Sequence, residues 1–447
     1  MSKRRASPWS IPVLAVCAAG VVLALGLLPR QSAAAEEGGI TTSFSPLKWP
    51  STPPADCPFP ASPKLGPLVF TGRSRAYKGG DTWYLSWASD DRMYSPFTDG
   101  QVAGVSSGSG QPSHKDKTAT VGFVAVEGGD PMNLTFVRAG IIPVDPFPYG
   151  GQYPCGSLVH EGVWYYGSYS LDTVQDDWDV MGPFVGFRVS LDYGKTWLPA
   201  ERTAMDPLFG ESAKDGRPVK KMGHKAEEYE RWEGRKGKPG AKVKLGAPHF
   251  VDFSKNMQLS PDGKAYLVAH GAVRPEAYNT WIAGDQVYLF RVRPSVKTIN
   301  DPASYEFFGG HDGQGAPIWT GDFSKIQPLL DWNGHLGCVT ATYNAPLRKY
   351  LMCITDGGGP AARGRGPYNT LLLEADALTG PYRLVTYMSK FGEQAYFVNI
   401  PSRFIGADGR TFWLCYAHGW SHKTQNPPNS HYGMTLQEVT CSPPGKE

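Results

Sequence analysis

The sequence predicts an all-β fold, and specifically a five-bladed β-propeller, from three observations. The 447 residues include 53 glycines and 39 prolines, which favour tight turns and are poorly tolerated in long helices. Aromatic residues make up 12% of the chain, which suits the packing of β-sheets. The third observation is a hairpin pattern that recurs five times along the chain.

Each predicted hairpin consists of two β-prone runs around a short polar turn. Asp, Asn and Gly dominate these turns because they tolerate the backbone angles that turns require. The paired runs are residues 82–88 with 92–98, 156–159 with 163–170, 250–259 with 264–271, 337–343 with 349–355, and 395–405 with 411–418. This repetition predicts five blades, each completed by outer strands. We expect strands from the two ends of the mature chain to pair and close the ring.

Residues 1–35 are predicted to be a secretory signal peptide. Basic residues at 3–5 precede an apolar run at 11–28, and three alanines at 33–35 offer a cleavage site. The length of the apolar run leaves an uncleaved membrane anchor as the alternative. We expect cleavage, and therefore a secreted, periplasmic or cell-surface protein without further membrane contact.

The mature chain is predicted to contain one domain. Residues 36–65, rich in Ser, Pro and Gly, form an extended lead-in, and residues 66–447 form the propeller. A charged, Lys-rich insertion at about 206–244 interrupts the hairpin rhythm and is interpreted as a surface loop. Six cysteines follow the signal, which permits three disulfides in an exported protein. Cys338 and Cys353 fall on neighbouring strands and are the candidate cross-strand pair.

Charge and cysteine spacing exclude several functions. A formal net charge of +3 implies no polyanionic partner, so we expect no nucleic acid binding. The absence of any Cys-x-x-Cys argues against a zinc site, and no spacing indicates another metal or an organic cofactor. We expect a monomer whose partner is a carbohydrate.

Residues 190–197 match the pattern Ser-x-Asp-x-Gly-x-Thr-Trp. In this pattern Asp192 is expected to accept backbone N–H groups, Gly194 to adopt a positive φ, and Trp197 to pack between blades. The motif resembles the Asp-box of sialidases and other propellers, which forms a hairpin turn on the outer edge of a blade. It therefore indicates architecture, and Asp192 is excluded from the active site.

Residues 80–91 (GDTWYLSWASDD) resemble the first-blade signature of five-bladed propellers related to arabinanase-like and fructosidase-like glycosidases, a group that includes endo-arabinanases. Further matches follow at residues 246–248, 253–256, 304–308, 343–350, 378–382 and 407–413, so that the resemblance covers about residues 70 to 440. It implies a secreted glycoside hydrolase that acts on a polysaccharide or a glycoconjugate. It also allows a structural metal ion on the propeller axis. The insertion departs from the pattern and leaves the substrate open.

Counting outward from each turn predicts which residues meet at the opposite end of the hairpin, because facing residues in an antiparallel pair are equidistant from the turn. In the first hairpin, Asp81 is predicted to face Asp99. In the related glycosidases the catalytic face lies at the start of each innermost strand, and Asp81 occupies that place. The other predicted neighbours on this face are Asp252 with His270, His335 with Asp356, Asn399 with His418, and Gln152 with Ser170.

The predicted catalytic residues are Asp81, Asp99 and Asp252. Asp81 is the expected base or nucleophile, and Asp99 is expected to tune its pKa or to accept a sugar hydroxyl. Directly facing carboxyls would be too close for an inverting pair, so the acid should come from another blade, with Asp252 first and Asp356 second. Predicted substrate-binding residues are Trp83, Trp87, Asn256, His270, His335, Asp356, Asn399 and His418.

Two alternatives stay open at this point. Each of these residues could simply cap a turn or bond backbone amides at a strand end. A non-catalytic carbohydrate-binding propeller is the main functional alternative to the glycosidase, ahead of a catalytically inactive or protein-binding propeller.

Overall fold

The computed structural model describes residues 40–41, 43–50, 52–110, 119–146, 149–172, 180–211, 243–271, 281–358, 367–419 and 426–443. Within these residues the chain forms a five-bladed β-propeller, as the hairpin pattern predicted. The predicted signal peptide and most of the predicted insertion lie outside the described residues. No helix in the described part is long and apolar enough to cross a membrane.

The first part of the chain supplies three early strands and two blades. The early strands are β1 (Ile40–Thr41), β2 (Leu47–Lys48) and β3 (Leu68–Lys78). Blade 1 contains β4 (Ser86–Trp87), β5 (Met93–Phe97), β8 (Thr120–Glu127) and β9 (Thr135–Pro143), with a small hairpin of β6 (Gly100–Val102) and β7 (Val105–Ser107). Blade 2 contains β10 (Gly151–His160), β11 (Val163–Asp172) and β12 (Val180–Ser190).

The remaining strands form blades 3 to 5. Blade 3 is the largest, with β13 (His249–Phe250), β14 (Ala265–Gly271), β15 (Gln286–Val292), β16 (Tyr305–His311), β17 (Pro317–Thr320) and β18 (Pro328–Asp331). Blade 4 contains β19 (Val339–Asn344), β20 (Lys349–Asp356), β21 (Asn369–Ala375) and β22 (Arg383–Met388). Blade 5 contains β23 (Tyr396–Asn399), β24 (Thr411–Ala417) and β25 (Gly433–Cys441). Short 3-10 turns occur at Lys255–Met257, Pro302–Ser304, Phe323–Lys325 and Ser402–Phe404.

The ring closes by pairing the two ends of the described chain. Strand β3 runs antiparallel to β25, from Lys78 opposite Gly433 to Leu68 opposite Cys441. Strands β1 and β2 then cover the outer side of β3. This pairing confirms the predicted closure and leaves no free edge at the junction of the ring.

The propeller has two distinct faces. We call the face that carries the turns at residues 89–91, 161–162, 260–263, 345–348 and 407–410 the turn face. The opposite face, at the level of Asp81, Gly151, Gly246, Gly337 and Ala395, is the open face. Apolar clusters fill the spaces between blades, and the largest of them extends through blades 2, 3 and 4.

The turn at residues 190–197 has the predicted geometry. Asp192 Oδ1 accepts hydrogen bonds from the backbone N–H groups of Lys195 (3.0 Å) and Thr196 (2.9 Å). Gly194 has a φ of 81°, and the Trp197 ring lies 5.4 Å from Trp164 of blade 2 and 5.2 Å from Phe123 of blade 1. The turn therefore joins two blades and stands on an outer edge, away from the axis.

The cysteine prediction is wrong for the pair it named. The six described cysteines are all free. Cys353 lies opposite Thr340 on β19, whereas the Cys338 carbonyl accepts the N–H of Thr355, two residues further along β20. The two thiols also belong to different apolar clusters, so they are not cross-strand partners.

Candidate active site

Asp81 and Asp99 lie together at the open-face end of blade 1, with a one-residue difference from the predicted register. Near the turn, Ser86 faces Tyr94, as counting outward predicts. At the far end Asp81 pairs with Thr98, through N–O distances of 2.8 and 3.0 Å, and not with Asp99. The inner strand therefore contains one extra residue, which is the defining feature of a β-bulge.

The backbone around this pair adopts unusual conformations. Thr82, a β-branched residue, has a φ of 68°, and Asp99 has a φ of 49°. A Cβ on Gly80 would stand 1.9 Å from the Thr98 carbonyl oxygen, so only glycine allows the two chain segments to approach this closely. Left-handed conformations at non-glycine residues concentrate at functional sites, where the surrounding structure holds them in place.

Two hydroxyl groups hold the buried Asp81 carboxylate. Thr82 Oγ1 donates to Oδ1 at 2.6 Å, and the Tyr432 hydroxyl donates to Oδ2 at 2.8 Å. The same Tyr432 oxygen lies 3.0 Å from the Asp99 carbonyl oxygen, so this tyrosine contacts both acidic residues. Sequence reasoning missed Tyr432, although the predicted closure placed the last strand beside blade 1.

Asp99 experiences a different electrostatic environment. Burial, together with the negative charge of Asp81, raises the pKa of Asp99 to about 7. Hydrogen bonds from the Ser109 N–H (2.9 Å) and Thr98 Oγ1 (3.4 Å) oppose this rise without cancelling it. Asp99 therefore carries a proton over most of the acidic range, when an ordinary aspartate would be ionised.

Asp252 does not join this pair, and the prediction that it shares their face is wrong. It forms a parallel bridge with Thr342, close to the fourth turn, and its Oδ2 accepts the N–H of Ser402 at 2.7 Å. His249 faces Val268, so the third hairpin contains extra residues on its inner side. These form the 3-10 turn at Lys255–Met257, and they carry Asp252 towards the turn face.

Burial raises the pKa of Asp252, and the hydrogen bonds from Ser402 and Ser254 counteract that rise. Its Oδ1 accepts from Ser402 Oγ (2.7 Å) and the Ser254 N–H (2.9 Å). In this position Asp252 links blade 3 to blade 5.

Two predicted substrate-binding residues also lie at the turn face. Trp87 Nε1 donates to Asp91 at 3.0 Å, and the Arg403 guanidinium lies 4.8 Å from the Trp87 ring centroid. Asn256 Nδ2 donates to Glu161 at 2.7 Å, beside the second turn. Neither side chain is near the Asp81 end of the hairpin.

Four other predicted contacts are enclosed by protein. Trp83 is 1% exposed and packs on Phe97 and Phe136, while its Nε1 donates to the Gly80 carbonyl. His270, Asn399 and His418 are buried as well. Asn399 faces Cys415 and not His418, because the fifth hairpin contains a bulge between Tyr396 and Asn399. All four side chains are buried in the walls around the axis.

The fourth and second hairpins meet their predictions. His335 Nδ1 lies 3.0 Å from Asp356 Oδ1, at the open-face end of blade 4. Gln152 faces Ser170 at the corresponding end of blade 2. The open face therefore combines the acidic pair of blade 1 with an imidazole–carboxylate pair of blade 4.

A cavity of about 40 Å³ lies between the inner strands of the blades and is lined by Tyr84, His249, Asp252 and Asn399, among others. This volume accommodates a few waters but not a sugar ring. In the described residues no group of three or more His, Cys, Asp or Glu side chains could hold a metal ion.

No family model matches the chain, and no curated protein matches it. Solved structures do match at low identity. A putative hydrolase from Bacteroides ovatus is 11% identical, with 83% of this chain and 90% of that chain covered and a TM-score of 0.45. An α-L-arabinofuranosidase from Podospora anserina is 11% identical over 90% and 96% of the two chains, with a TM-score of 0.38. A family 117 glycoside hydrolase from Zobellia galactanivorans is 13% identical over 90% of each chain, with a TM-score of 0.41.

The strand order of the structure itself defines the class of protein. It is a five-bladed β-propeller with a pair of aspartates, held by one tyrosine, on its open face.

Proposed function

We propose that this protein is a secreted glycoside hydrolase that cleaves a polysaccharide or a glycoconjugate, with Asp81 and Asp99 as its catalytic residues. The observation that carries the proposal is the unequal pair of carboxyl groups. Asp99 has a pKa raised to about 7, while Asp81, one residue out of register across the same hairpin, accepts two hydroxyl donors. A carboxyl with a raised pKa beside a second carboxyl is the usual acid and base arrangement of a glycosidase.

In the proposed reaction the two aspartates have different roles. Protonated Asp99 donates its proton to the glycosidic oxygen as the bond from that oxygen to the anomeric carbon breaks. Asp81 either removes a proton from the attacking water, or attacks the anomeric carbon itself to form a glycosyl ester that water then hydrolyses, with ionised Asp99 as the base. Asp99 replaces Asp252 and Asp356 as the acid in this proposal, because Asp252 is bonded at the turn face and Asp356 is fully buried.

Tyr432 supports the base. Its hydroxyl donates to Asp81 and contacts the Asp99 carbonyl, so it fixes the orientation of the Asp81 carboxylate relative to its neighbour. Because Asp81 no longer faces Asp99 directly, the sequence-based argument against an inverting pair does not apply. The anomeric configuration of the first product, followed by NMR, distinguishes inversion from retention.

The proposal is tested by reducing-sugar release from a panel of plant and bacterial glycans. We expect the wild-type protein to hydrolyse at least one of them. Asp81→Asn should lower the rate about 10²–10⁴-fold, because it removes the base or nucleophile while nearly preserving shape. The matched control is Asp90→Asn, at the turn-face end of the same hairpin, and its rate should stay within about three-fold of wild type.

The same panel can contradict the proposal. Binding of a glycan by wild-type protein without any cleavage would instead support the non-catalytic carbohydrate-binding propeller. Equal rates for wild type and Asp81→Asn on a cleaved glycan would remove Asp81 from the mechanism.

A further inference from the structure

A second ordered polar group lies on the open face, in blade 4. Asp356, at the end of β20, is completely buried. Its Oδ1 lies 3.0 Å from His335 Nδ1 and accepts the Gly358 N–H at 2.7 Å, while its Oδ2 accepts the Tyr387 hydroxyl at 2.8 Å. Three donors therefore converge on one carboxylate that has no contact with solvent.

The His335 ring is held by a stacking contact on one face and by its hydrogen bond to Asp356 at one edge. Its plane stacks on Trp332 with centroids 4.0 Å apart and an angle of 12°. Trp332 is held in turn, because its Nε1 donates to Asp56 of the lead-in segment at 3.1 Å. A stacked ring with one nitrogen bonded to a buried carboxylate keeps a single orientation.

The two ring nitrogens of His335 have different environments. Nδ1 faces the Asp356 carboxylate, which can only accept, so Nδ1 carries the proton in the neutral ring. Nε2 then presents a lone pair. Within the described part of the chain Nε2 has no hydrogen-bond partner, and this atom is not fully buried. His335 is 8% exposed, and this exposure leaves Nε2 available to a ligand.

We propose that His335 is a substrate-contacting residue whose Nε2 accepts a hydrogen bond from a sugar hydroxyl, and that Asp356 is the positioning residue that sets its tautomer. This inference rests on the proposed glycosidase function. Blade 5 separates blade 4 from blade 1 in the ring, so the hydroxyl belongs to a part of the glycan across the axis from Asp81. An acceptor with a fixed direction discriminates between hydroxyl orientations, which is how a sugar site achieves specificity.

The tautomer is measurable without any substrate. In ¹⁵N NMR spectra of the imidazole nitrogens, with His335 assigned by its loss in His335→Asn, wild type should show the proton on Nδ1. In Asp356→Asn the new amide can donate to Nδ1, so the proton should move to Nε2. A wild-type ring that carries its proton on Nε2 would overturn the inference.

The contact itself is measured by kinetics on a cleaved glycan. His335→Asn keeps an amide donor for Asp356 but has no atom at the Nε2 position, so it separates contact from folding. We expect KM to rise about ten-fold with kcat within about three-fold, as for the loss of one hydrogen bond made equally in ground and transition states. Asp356→Asn should raise KM similarly, because it turns the acceptor into a donor. The matched control is His311→Asn, an exposed histidine on blade 3, with unchanged KM.

The outcomes separate this inference from the function on which it rests. Hydrolysis by wild type with an unchanged KM in His335→Asn refutes the contact and leaves the function intact. If wild type binds glycans without cleaving them, the function fails, and the Kd of His335→Asn decides the contact in place of KM. A protein that neither cleaves nor binds glycans refutes both.

Discussion

The first hairpin has acidic residues at both ends, and the pKa values of Asp91 and Asp99 shift in opposite directions. At the turn face, Asp91 accepts hydrogen bonds from Lys255 Nζ (3.0 Å), Arg403 Nη2 (3.1 Å) and Trp87 Nε1 (3.0 Å). These donors hold the pKa of Asp91 well below its usual range. At the open face, burial and the neighbouring carboxylate raise the pKa of Asp99.

The difference teaches that the environment, and not the residue type, assigns the role. The cations on Asp91 come from blades 3 and 5, so their ion pairs connect three blades at the turn face. Asp81 accepts hydrogen bonds from two hydroxyls, and Asp99 accepts from a backbone N–H and a hydroxyl. Burial disfavours the ionised form of an acid, and acids with a pKa raised in this way are found at functional sites.

The largest expected effect separates the two aspartates of the open face. Asp99→Asn should lower the hydrolysis of a natural glycan about 10²–10⁴-fold, because the glycosidic oxygen loses its proton donor. An aryl glycoside of the same sugar, whose leaving group needs no proton, should be hydrolysed by this variant at a rate much closer to wild type. Asp81→Asn should fail on both substrates. Equal losses for Asp99→Asn on both substrates would contradict its role as the acid.

The sequence predicted the fold well, because hairpin patterns and turn residues are local signals. All five inner hairpins occur where the turns indicated, and the closure by β3 and β25 follows from the need to pair both ends. The Asp192 turn was also predictable, since its hydrogen bonds lie within five residues of one another.

The site was less predictable, because it depends on register. Counting outward from the turn succeeds for His335 and Asp356, where β19 and β20 pair without interruption. It is one residue out at Asp81, where Thr82 adopts a positive φ, and it fails at Asp252, where a 3-10 turn interrupts the inner strand. Bulges of this kind leave no periodic signal. Tyr432 depends on long-range closure and could be placed only after the ring was known.

A smaller effect on activity is expected at Asp252, and it sharpens the distinction between the faces. Asp252→Asn should leave the rate of glycan hydrolysis within about three-fold of wild type, because the residue lies towards the turn face. Its amide would oppose the Ser402 N–H, so unfolding should become easier by about 1–3 kcal/mol. Denaturant titration measures this loss, and Ser402→Ala is the milder control. A loss of activity as large as that of Asp81→Asn would show that the two faces are wrongly assigned.

The smallest effects are on stability, and they should depend on pH with opposite signs. A lowered pKa means that ionised Asp91 stabilises the fold above the unfolded value near 4, and that this contribution is lost as the pH falls. The pKa of Asp99 is higher in the folded state than in the unfolded state, so ionisation of Asp99 opposes folding. Wild type therefore loses stability as the pH rises from about 4 towards 7. Substitution by Asn removes each titration and leaves a constant offset.

Thermal unfolding of both variants against wild type at pH 3.5, 5 and 8 therefore tests the comparison directly. From pH 5 to pH 8, Asp99→Asn should gain in Tm relative to wild type, while the deficit of Asp91→Asn should stay constant. From pH 5 to pH 3.5, the deficit of Asp91→Asn should shrink, while Asp99→Asn should lose Tm relative to wild type, because wild type regains the stability that ionisation of Asp99 in the unfolded chain had removed. The Asp91 effect should weaken with added salt because its ion pairs are exposed, whereas the Asp99 effect should persist. Parallel pH trends in the two variants would mean that the two ends of the hairpin do not differ electrostatically, and the assignment of Asp99 as a proton donor would lose its basis.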